Sequence, residues 1–392
     1  MAILSASLVE TGSPMIAGLT DPFPSPRETS MPIAETRYYV LDSSQEAEWR
    51  AILPARRSVL GSVEYAKICE KQFGYSARLF VLCAPEPVLA YPFCLRSVSD
   101  LPFPHSHRAA WDTLTPGYTG PLPLGNATAD RDAFVAHFQR YCGDHGIIAE
   151  FAHLNPWCGG EQWVDSNYIE KNREIVYVDL TATQDEVWTK SLHPESRRKY
   201  AQGQRAGVRA RRAETSADID AFHQIHTETM NRRNALSRYY YPPGFFQGVL
   251  QQMPDNAFVY VAEYDNRVVA GGLFFEDDRD VFWDMSAADL TYSSVRPVNV
   301  YLYDVIVSLL ARGKQRLILG GGYQPNDGIF RFKASLSPLR AAFSTYRRIH
   351  DADAYQALTK GWSDHYAGAQ PQDGYFPAYR CTPPAPAEEQ SA

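Results

Sequence analysis

The chain has 392 residues, of which 45% are hydrophobic and 21% are charged, with a formal net charge of −7. This length suggests two domains, and the acidic balance gives no overall signature of a nucleic-acid-binding protein. No window approaches about 18 consecutive apolar residues, so no transmembrane helix is expected. The six cysteines form no CxxC pair, and the first residues lack the basic region of a signal peptide. We therefore expect a cytoplasmic protein with reduced thiols.

Composition predicts flexible segments at both ends of the chain. The first residues are rich in Ser, Pro, Thr and Gly without a sustained period, and the last residues are similar. In the tail, Tyr375, Phe376 and Tyr379 could still dock on the folded body. The predicted organisation is a flexible arm, two α/β domains and a flexible tail, at residues 1–34, 35–180, 181–369 and 370–392.

Hydrophobic periodicity predicts alternating helices and strands in the first domain. The predicted strands lie at 37–41, 77–84, 87–96, 147–154 and 173–180. The predicted helices lie at 47–52, 63–73 and 133–143. Residues 101–125 are dense in Pro, Gly and aromatic side chains, so this segment is predicted to be a loop.

The second domain has a clearer pattern. Helices are predicted at 181–192, 193–206 and 298–312, and Gly207 closes the second of them. A further amphipathic helix is predicted to begin after a cap at Ser216. Its predicted strands lie at 208–214, 257–264, 267–275, 280–287 and 316–320. Asp265-Asn266 is typical of a hairpin turn between two of these strands.

The last predicted strand runs into three consecutive glycines. Gly320, Gly321 and Gly322 allow positive φ and close main-chain approach, although they also fit a tight turn at a sheet edge. The residue order differs from that of a Walker A phosphate loop. Lys333 follows an aromatic run, and is either a solvated charge or a partly buried cation that stabilises a developing oxyanion.

A basic run follows the start of the second domain. It holds seven cations within sixteen residues, namely Arg197, Arg198, Lys199, Arg205, Arg209, Arg211 and Arg212. Helical spacing places Arg198, Lys199 and Arg205 near one face. Phosphate binding is the functional interpretation, and a solvated helix face remains the alternative.

A second basic segment, rich in tyrosine, includes Arg238 and Tyr241. Pro242-Pro243 breaks any helix there, so these side chains are predicted to lie in a loop. Arginine beside tyrosine suits a phosphorylated or carboxylate substrate, while packing of the loop on the core remains equally open.

Asp284 and two histidine pairs are weaker candidates. Asp284 lies among aromatic residues of a predicted strand, and we expect the outward position of an alternating strand rather than a buried base. His105 with His107, and His223 with His226, lack a third ligand nearby in sequence, so no metal site is predicted.

The order of these motifs resembles the FemAB/FemX-like branch of the GNAT acyltransferase superfamily. The motifs are HPESRRKYAQGQRAGV, HTETMNRR, AFVYVAEYDNRVVAGGLFF, the helix after Arg296-Pro297, and LGGGYQPNDGIFRFKASL. Glycines followed by Phe-Lys are the most specific element, and GSVEYAK, YPFCLR and TPGYTGP resemble the family's first unit. The resemblance covers about residues 37–350. It implies an α/β fold of two tandem GNAT-like domains, each a mixed, mainly antiparallel sheet flanked by helices, with the site in a cleft between them.

The resemblance also implies an enzyme that transfers an acyl, classically aminoacyl, group onto an amine, with no bound cofactor and no dedicated general base. It places Lys333, with Phe332, at the reaction channel. Acceptor binding is expected at Arg238, Tyr241, Tyr118 and Asp284. Donor binding is expected at Arg197, Arg198, Lys199, Arg205, Gly321 and Gly322.

The sequence departs from well-known members of that family. The long helical insertion of some members is missing, because Lys199 leads almost directly into Val208. The [QR]-x-x-G-x-[GA] turn of acyl-CoA-using GNAT enzymes is also absent, since its nearest match, Gln204–Arg209, ends in arginine and joins a helix to a strand. These features favour aminoacyl-tRNA over acyl-CoA as donor, with tRNA as the corresponding partner, and an amine-bearing small molecule, sugar or peptide as acceptor.

Two interpretations from other classes stay open. A GNAT-fold protein could have become a non-catalytic binding module, since a fold does not fix a function. The basic run could also serve RNA binding alone.

Overall fold

A computed structural model describes residues 36–125, 130–322, 324 and 326–382, with the side chain of Arg238 excepted. The predicted flexible arm at 1–34 lies outside the described residues. The strands of the described part, in chain order, are β1 (Arg37–Asp42), β2 (Ser76–Cys83), β3 (Pro87–Ser97), β4 (Trp111–Leu114), β5 (Leu122–Pro123), β6 (Ile147–Leu154), β7 (Ile169–Asp179), β8 (Arg209–Arg212), β9 (Ala257–Tyr264), β10 (Arg267–Glu276), β11 (Asp280–Ala288), β12 (Arg316–Gly320) and β13 (Arg340–Ile349).

The helices of the same part, in chain order, are α1 (Glu46–Ile52), α2 (Val63–Phe73), α3 (Arg131–Asp144), α4 (Gln184–Glu186), α5 (Pro194–Ala206), α6 (Ser216–Arg232), α7 (Phe245–Gln252), α8 (Pro297–Ala311), α9 (Gly328–Ala334) and α10 (Ala352–His365). A π-helical turn at Val187–Ser191 continues α4. Within these bounds, no described helix has the length and apolar character that crossing a bilayer requires.

The chain divides into two compact units. Unit I contains Leu53–Gly74 and Glu174–Ala342, and unit II contains 36–52, Tyr75–Arg173 and 343–382. The chain passes from unit II to unit I within β7 and returns within β13. These units differ from the domains predicted at 35–180 and 181–369, which remain predictions.

Each unit has a mixed, mainly antiparallel sheet flanked by helices, which confirms the predicted fold class. In unit I the strand order is β7-β12-β11-β10-β9-β8, with β11 and β12 as a parallel pair and antiparallel pairing between the other neighbours named here. In unit II the order is β1-β2-β3-β4-β6-β13, with β5 paired to β3 and a parallel pair at β4 and β6.

Helices cover both faces of the unit I sheet. Ala270 of β10 belongs to the core that α8 closes, whereas the next residue, Gly271, faces Phe222 of α6. Because consecutive strand residues point to opposite faces, α8 and α6 lie on opposite sides of the sheet. A central strand in such a sheet is buried on both faces.

Local signals account for several element ends. Asp265 and Asn266 both have positive φ, 52° and 57°, as the hairpin turn requires. The predicted cap of α6 at Ser216 was wrong, because Thr215 caps the helix. The Thr215 hydroxyl accepts from the Asp218 amide at 3.2 Å, and the Asp218 carboxylate accepts from the Thr215 amide at 3.1 Å.

The predicted flexible tail was wrong as far as residue 382. Tyr375 and Tyr379 are buried with Trp362 of α10, and the Trp362 indole donates to the Cys381 carbonyl at 2.9 Å. This segment therefore belongs to the core of unit II, which is the docking alternative left open above. Residues 383–392 lie outside the described part.

Candidate active site

The parallel strands β11 and β12 of unit I pair over only three residues. Asp280, Val281 and Phe282 pair with Arg316, Leu317 and Ile318, and β12 continues beside β7. From Trp283 onward, β11 has ladder pairing with β10 alone. The two strands thus separate at their carboxyl ends, where main-chain groups and side chains can meet a ligand.

Lys333 of α9 lies close to this separation. Its side chain is buried, with 3% of the residue exposed, and Nζ donates to the Gly321 carbonyl oxygen at 2.7 Å. Nζ also lies 5.7 Å from the centre of the Trp283 ring. Burial lowers the pKa of Lys333 to about 8, and the nearby Asp327 carboxylate opposes that shift. The sequence left open whether Lys333 is a solvated charge or a buried cation, and the structure shows that it is buried.

The glycine turn holds the start of α9. Gly320 has φ +75°, and a Cβ at Gly322 would lie 2.3 Å from Asp327 Oδ1. That same Oδ1 accepts from the Phe330 amide at 2.7 Å and caps α9. Residue 322 is therefore glycine because the capping carboxylate occupies the position of a side chain. A donor-binding role of Gly321 and Gly322 remains a prediction.

Phe332 packs partly against the core of unit I, and its place at the reaction channel remains a prediction. Its ring lies 6.4 Å from the Trp283 ring and is partly buried against the α8 core. This contact helps to fix α9, and so Lys333, against β11. Sequence reasoning missed Trp283, although the neighbouring aromatic residues in VFWDMSA gave a signal.

Asp284 is fully buried, at 0% exposure, so the expected outward position was wrong. Asp284 is the extra residue of a β-bulge in β11, since Met285 pairs with Leu273 and Trp283 pairs with Phe274. Its charge acts on Tyr241 on the α6 side of the sheet, where helix α6 covers β11, so the acid is not exposed.

Tyr241 lies on the α6 side of the sheet and is buried rather than exposed on a loop. Its ring stacks on Phe245 at 4.3 Å and lies 5.4 Å from the His226 ring. Burial raises the pKa of Tyr241, and the charge of Asp284 adds to this effect. The backbone of Arg238 forms a short 3-10 turn, Ser237–Tyr239. Acceptor binding by these residues remains a prediction.

The sequence suggested His226 only as half of a histidine pair that lacks a third metal ligand. Only 4% of it is exposed, and among the described residues its Nδ1 has no hydrogen-bond partner. Burial lowers its pKa to about 4, so the imidazole is neutral. His223 Nε2 lies 2.9 Å from the Tyr241 carbonyl oxygen. Within the described part of the chain, no group of three His, Cys, Asp or Glu side chains could hold a metal ion.

Several cations of the basic run are engaged within unit I. Arg197 donates to the Trp188 and Thr189 carbonyl oxygens at 3.0 Å, and Lys199 pairs with Glu195 at 2.8 Å.

Two cations on β8 also have partners. Arg211 binds the Asp218 carboxylate at 2.7 Å and also pairs with Glu263, while Arg212 lies over the Phe258 ring. Four cations of the run are exposed residues, namely Arg198, Arg205, Arg209 and Arg212. Phosphate binding by this basic run remains a prediction.

Helix α5 packs on the first turn of α8. A Cβ at Gly203 would lie 2.4 Å from Val300 Cγ2 and 2.8 Å from the Val295 carbonyl oxygen. Gln202 donates to the Ser294 carbonyl at 3.0 Å. Gly207 ends α5 with φ +93°, and its amide donates back to the Gln204 carbonyl at 3.0 Å. The nearest match to a pyrophosphate turn is therefore a helix cap.

Tyr118, the remaining candidate, is a buried residue of unit II. Its ring meets Phe343 edge-on at 4.9 Å and lies 6.1 Å from His153. Its predicted contribution to acceptor binding remains a prediction.

One family model matches part of unit I. Residues 193–334 match the family model described as the acetyltransferase (GNAT) domain. The chain contains a GNAT domain. No curated protein matches it in sequence.

Among solved structures, the chain is similar to FemX, with a TM-score of 0.61 and 10% identity, covering 82% of this chain and 99% of that chain. It is similar to the C-terminal domain of a proposed lysylphosphatidylglycerol synthetase from Agrobacterium fabrum, with a TM-score of 0.50 and 14% identity over 81% and 97% of the two chains. It is also similar to L-PGS from Bacillus licheniformis, with a TM-score of 0.50 and 11% identity over 82% and 96%.

These likenesses confirm the predicted FemAB/FemX-like GNAT resemblance at the level of the fold. The match of residues 193–334 to the acetyltransferase (GNAT) domain indicates an acyltransferase.

Proposed function

We propose that this GNAT-domain protein transfers an aminoacyl group from aminoacyl-tRNA onto an amine and forms an amide. The observation that carries the proposal is Lys333, a buried cation beside the separation of β11 and β12. The FemX-like fold supports an aminoacyl donor. The name lysylphosphatidylglycerol synthetase, carried by another protein of similar fold, supports it as well.

The chemistry begins with attack of the acceptor amine on the ester carbonyl carbon of the donor. The carbonyl oxygen becomes an oxyanion, and the Lys333 ammonium stabilises it by a charge-assisted hydrogen bond. The C–O ester bond then breaks, the amide C–N bond remains, and the amine proton reaches the departing ribose oxygen directly or through water. With a pKa of about 8, Lys333 is mostly protonated at neutral pH. Binding of both substrates supplies the remaining rate by proximity.

The packing of α5 on α8 indicates whether the acyl donor carries a pyrophosphate. An acyl-CoA pyrophosphate is commonly bound by the free amides of a loop and the helix start that follows it. In this protein α5 lies against the first turn of α8 at Gly203, and the Gly207 amide is used as a helix cap. Both features favour a donor without a pyrophosphate, and exposed Arg198 and Arg205 on α5 offer contacts to RNA phosphates.

Acyl-CoA-dependent acetylation of an amino sugar or small amine is the second candidate, because the matching family model is described as an acetyltransferase domain. In either case the acceptor is an amine carried by a small molecule, sugar or peptide. A cytoplasmic location remains a prediction.

The donor can be tested directly. Purified protein is incubated with a small-molecule extract and either a charged tRNA pool or acetyl-CoA, and products are identified by mass spectrometry. We expect aminoacyl mass additions with charged tRNA, lost after RNase treatment. Acetyl additions from acetyl-CoA in RNA-free protein would replace this proposal with the second candidate, and no addition from either donor would contradict both.

A further inference from the structure

Trp283 lies where β11 leaves β12. It follows Phe282, the last residue of β11 that pairs with β12, and it precedes the bulge at Asp284. Bulges next to active sites commonly re-aim a side chain. Only 8% of Trp283 is exposed, and its ring belongs to the core that α8 closes. The indole is therefore a buried group beside the separation of the two strands.

A glycine on β10 makes room for this indole. A Cβ at Gly272 would lie 2.9 Å from Trp283 Nε1 and 2.9 Å from the Met285 carbonyl oxygen. Any other residue at 272 would therefore displace the indole or the strand. Phe332 of α9 contacts the indole as well, with the two ring centres 6.4 Å apart. Gly272 and Phe332 thus hold the indole between β10 and α9.

The indole ring lies against the Lys333 ammonium. Nζ is 5.7 Å from the ring centre, within the range of about 6 Å at which an aromatic ring attracts a cation. Nζ also donates to the Gly321 carbonyl oxygen at 2.7 Å. Among the described residues no carboxylate pairs directly with Nζ, and Asp327 acts on it as a nearby charge. The ring and the Gly321 carbonyl therefore fix the position of the ammonium.

An aromatic face suits this position better than a carboxylate would. A paired carboxylate would take an N–H group of Lys333 and offset the positive charge that an oxyanion needs. A ring attracts the cation through its quadrupole and brings no negative charge of its own. After the bond to Gly321, the ammonium keeps two N–H groups for a substrate oxygen.

We propose that Trp283 is a positioning residue of the acyl transfer, with its ring holding the Lys333 ammonium at the end of β12 so that the remaining N–H groups meet the oxyanion. The inference rests on the proposed function, because Trp283 acts through Lys333 and does not touch the reacting atoms. An aromatic ring at position 283 should therefore affect turnover only while Lys333 is present.

A double-mutant cycle in the full chain tests this dependence, with turnover measured on a charged tRNA pool. Trp283→Met fills most of the space without an aromatic ring. We expect it to lower turnover about tenfold when Lys333 is present and by less than about twofold in the Lys333→Met background. Trp283→Phe keeps a ring and should stay within about threefold of the wild type. Phe330→Leu is the matched control, since that ring of α9 lies against Arg340 at 5.3 Å, and it should keep wild-type turnover.

Labelling of Lys333 by acetic anhydride, without donor or acceptor, tests the contact itself. The labelled peptide is quantified by mass spectrometry at a pH above the pKa of Lys333. We expect labelling about threefold faster or more in Trp283→Met, because the amine loses the ring that holds and covers it. Phe330→Leu should label like the wild type.

The outcomes separate this inference from the proposed function. Equal losses from Trp283→Met in the two backgrounds would overturn the inference and leave the proposed function standing. Unchanged labelling of Lys333 in Trp283→Met would overturn it as well, with or without measurable turnover. Wild-type turnover in the single Lys333→Met variant would contradict the proposed function, and the inference with it. Trp283→Leu replaces Trp283→Met if circular dichroism shows that the latter is unfolded.

Discussion

The ammonium nitrogen of Lys333 lies 2.7 Å from the carbonyl oxygen of Gly321, which holds the cation of α9 at the end of β12. A lysine with three N–H groups and one such bond keeps donors for a substrate oxygen. The same burial that lowers its pKa makes its charge act through a medium of low polarity, where an oxyanion gains most from it.

Replacement of Lys333 by methionine should preserve the fold and lower turnover by about a hundredfold or more, because the oxyanion loses its charged donor. Turnover is measured with the donor that the product analysis identifies, and circular dichroism checks the fold. Lys333→Arg retains the charge and is the control, with an intermediate rate expected. Wild-type turnover in the methionine variant would remove Lys333 from the mechanism.

The lowered pKa of Lys333 predicts a pH dependence. Lys333 is protonated below its pKa of about 8 and loses its charge as pH rises through that value. Arginine stays protonated across this range. The ratio of wild-type to Lys333→Arg turnover should therefore be constant below about pH 7 and fall above pH 8. Titration of the acceptor amine affects both enzymes equally, so it does not change this ratio. A ratio that stays constant to pH 9.5 would contradict a pKa of about 8 for a catalytic Lys333.

Gly322→Ala should damage the site by moving the cap of α9. Its Cβ would lie 2.3 Å from Asp327 Oδ1, so the carboxylate must leave the Phe330 amide. We expect a loss of about 1 kcal/mol or more in the free energy of urea unfolding, together with lower turnover. Gly328→Ala is the matched control, since nothing lies within 4 Å of a Cβ there, and its stability should be unchanged or higher. Equal behaviour of the two variants would contradict the steric argument.

Unit II has its own critical carboxylate. Asp112 is fully buried and accepts from Arg96 and Arg380, each at 2.5 Å, and from the Tyr379 hydroxyl at 3.2 Å. Asp112→Asn leaves the buried Arg96 without its counter-charge, so we expect a loss of about 3–5 kcal/mol in unfolding free energy. Asp364→Asn is the exposed control and should change stability little. A small loss in Asp112→Asn would contradict the role of the Asp112 carboxylate as the counter-charge of Arg96.

Elements with strong local patterns were predictable from the sequence. Strands β6, β9 and β12 have the predicted bounds, because each is an apolar run closed by turn residues. Helix α9 was missed, since seven residues are too few for a periodic signal and the helix depends on Asp327 and Gly322.

The remaining differences come from contacts between distant residues. Arg380 reaches Asp112 across 268 positions, and Arg211 reaches Glu263 across 52. Composition alone therefore predicted a flexible tail where a docked segment lies, and the basic run gave no sign that Arg211 is ion-paired. The buried state of Asp284 likewise required knowing that helices cover both sheet faces.

Gly203→Ala tests the packing of α5 on α8 that disfavours a pyrophosphate donor. Alanine is the better helix former by about 1 kcal/mol, so local propensity alone predicts stabilisation. Its Cβ would, however, lie 2.4 Å from Val300 Cγ2 and 2.8 Å from the Val295 carbonyl oxygen. We therefore expect a net loss of about 1–3 kcal/mol in unfolding free energy. In Gly248→Ala of α7, the nearest atom is the flexible Lys71 Nζ at 3.9 Å, so that control should be stabilised. Stabilisation of both variants would mean that α5 lies farther from α8, which would leave the first turn of α8 open to a phosphate and weaken the case for aminoacyl-tRNA.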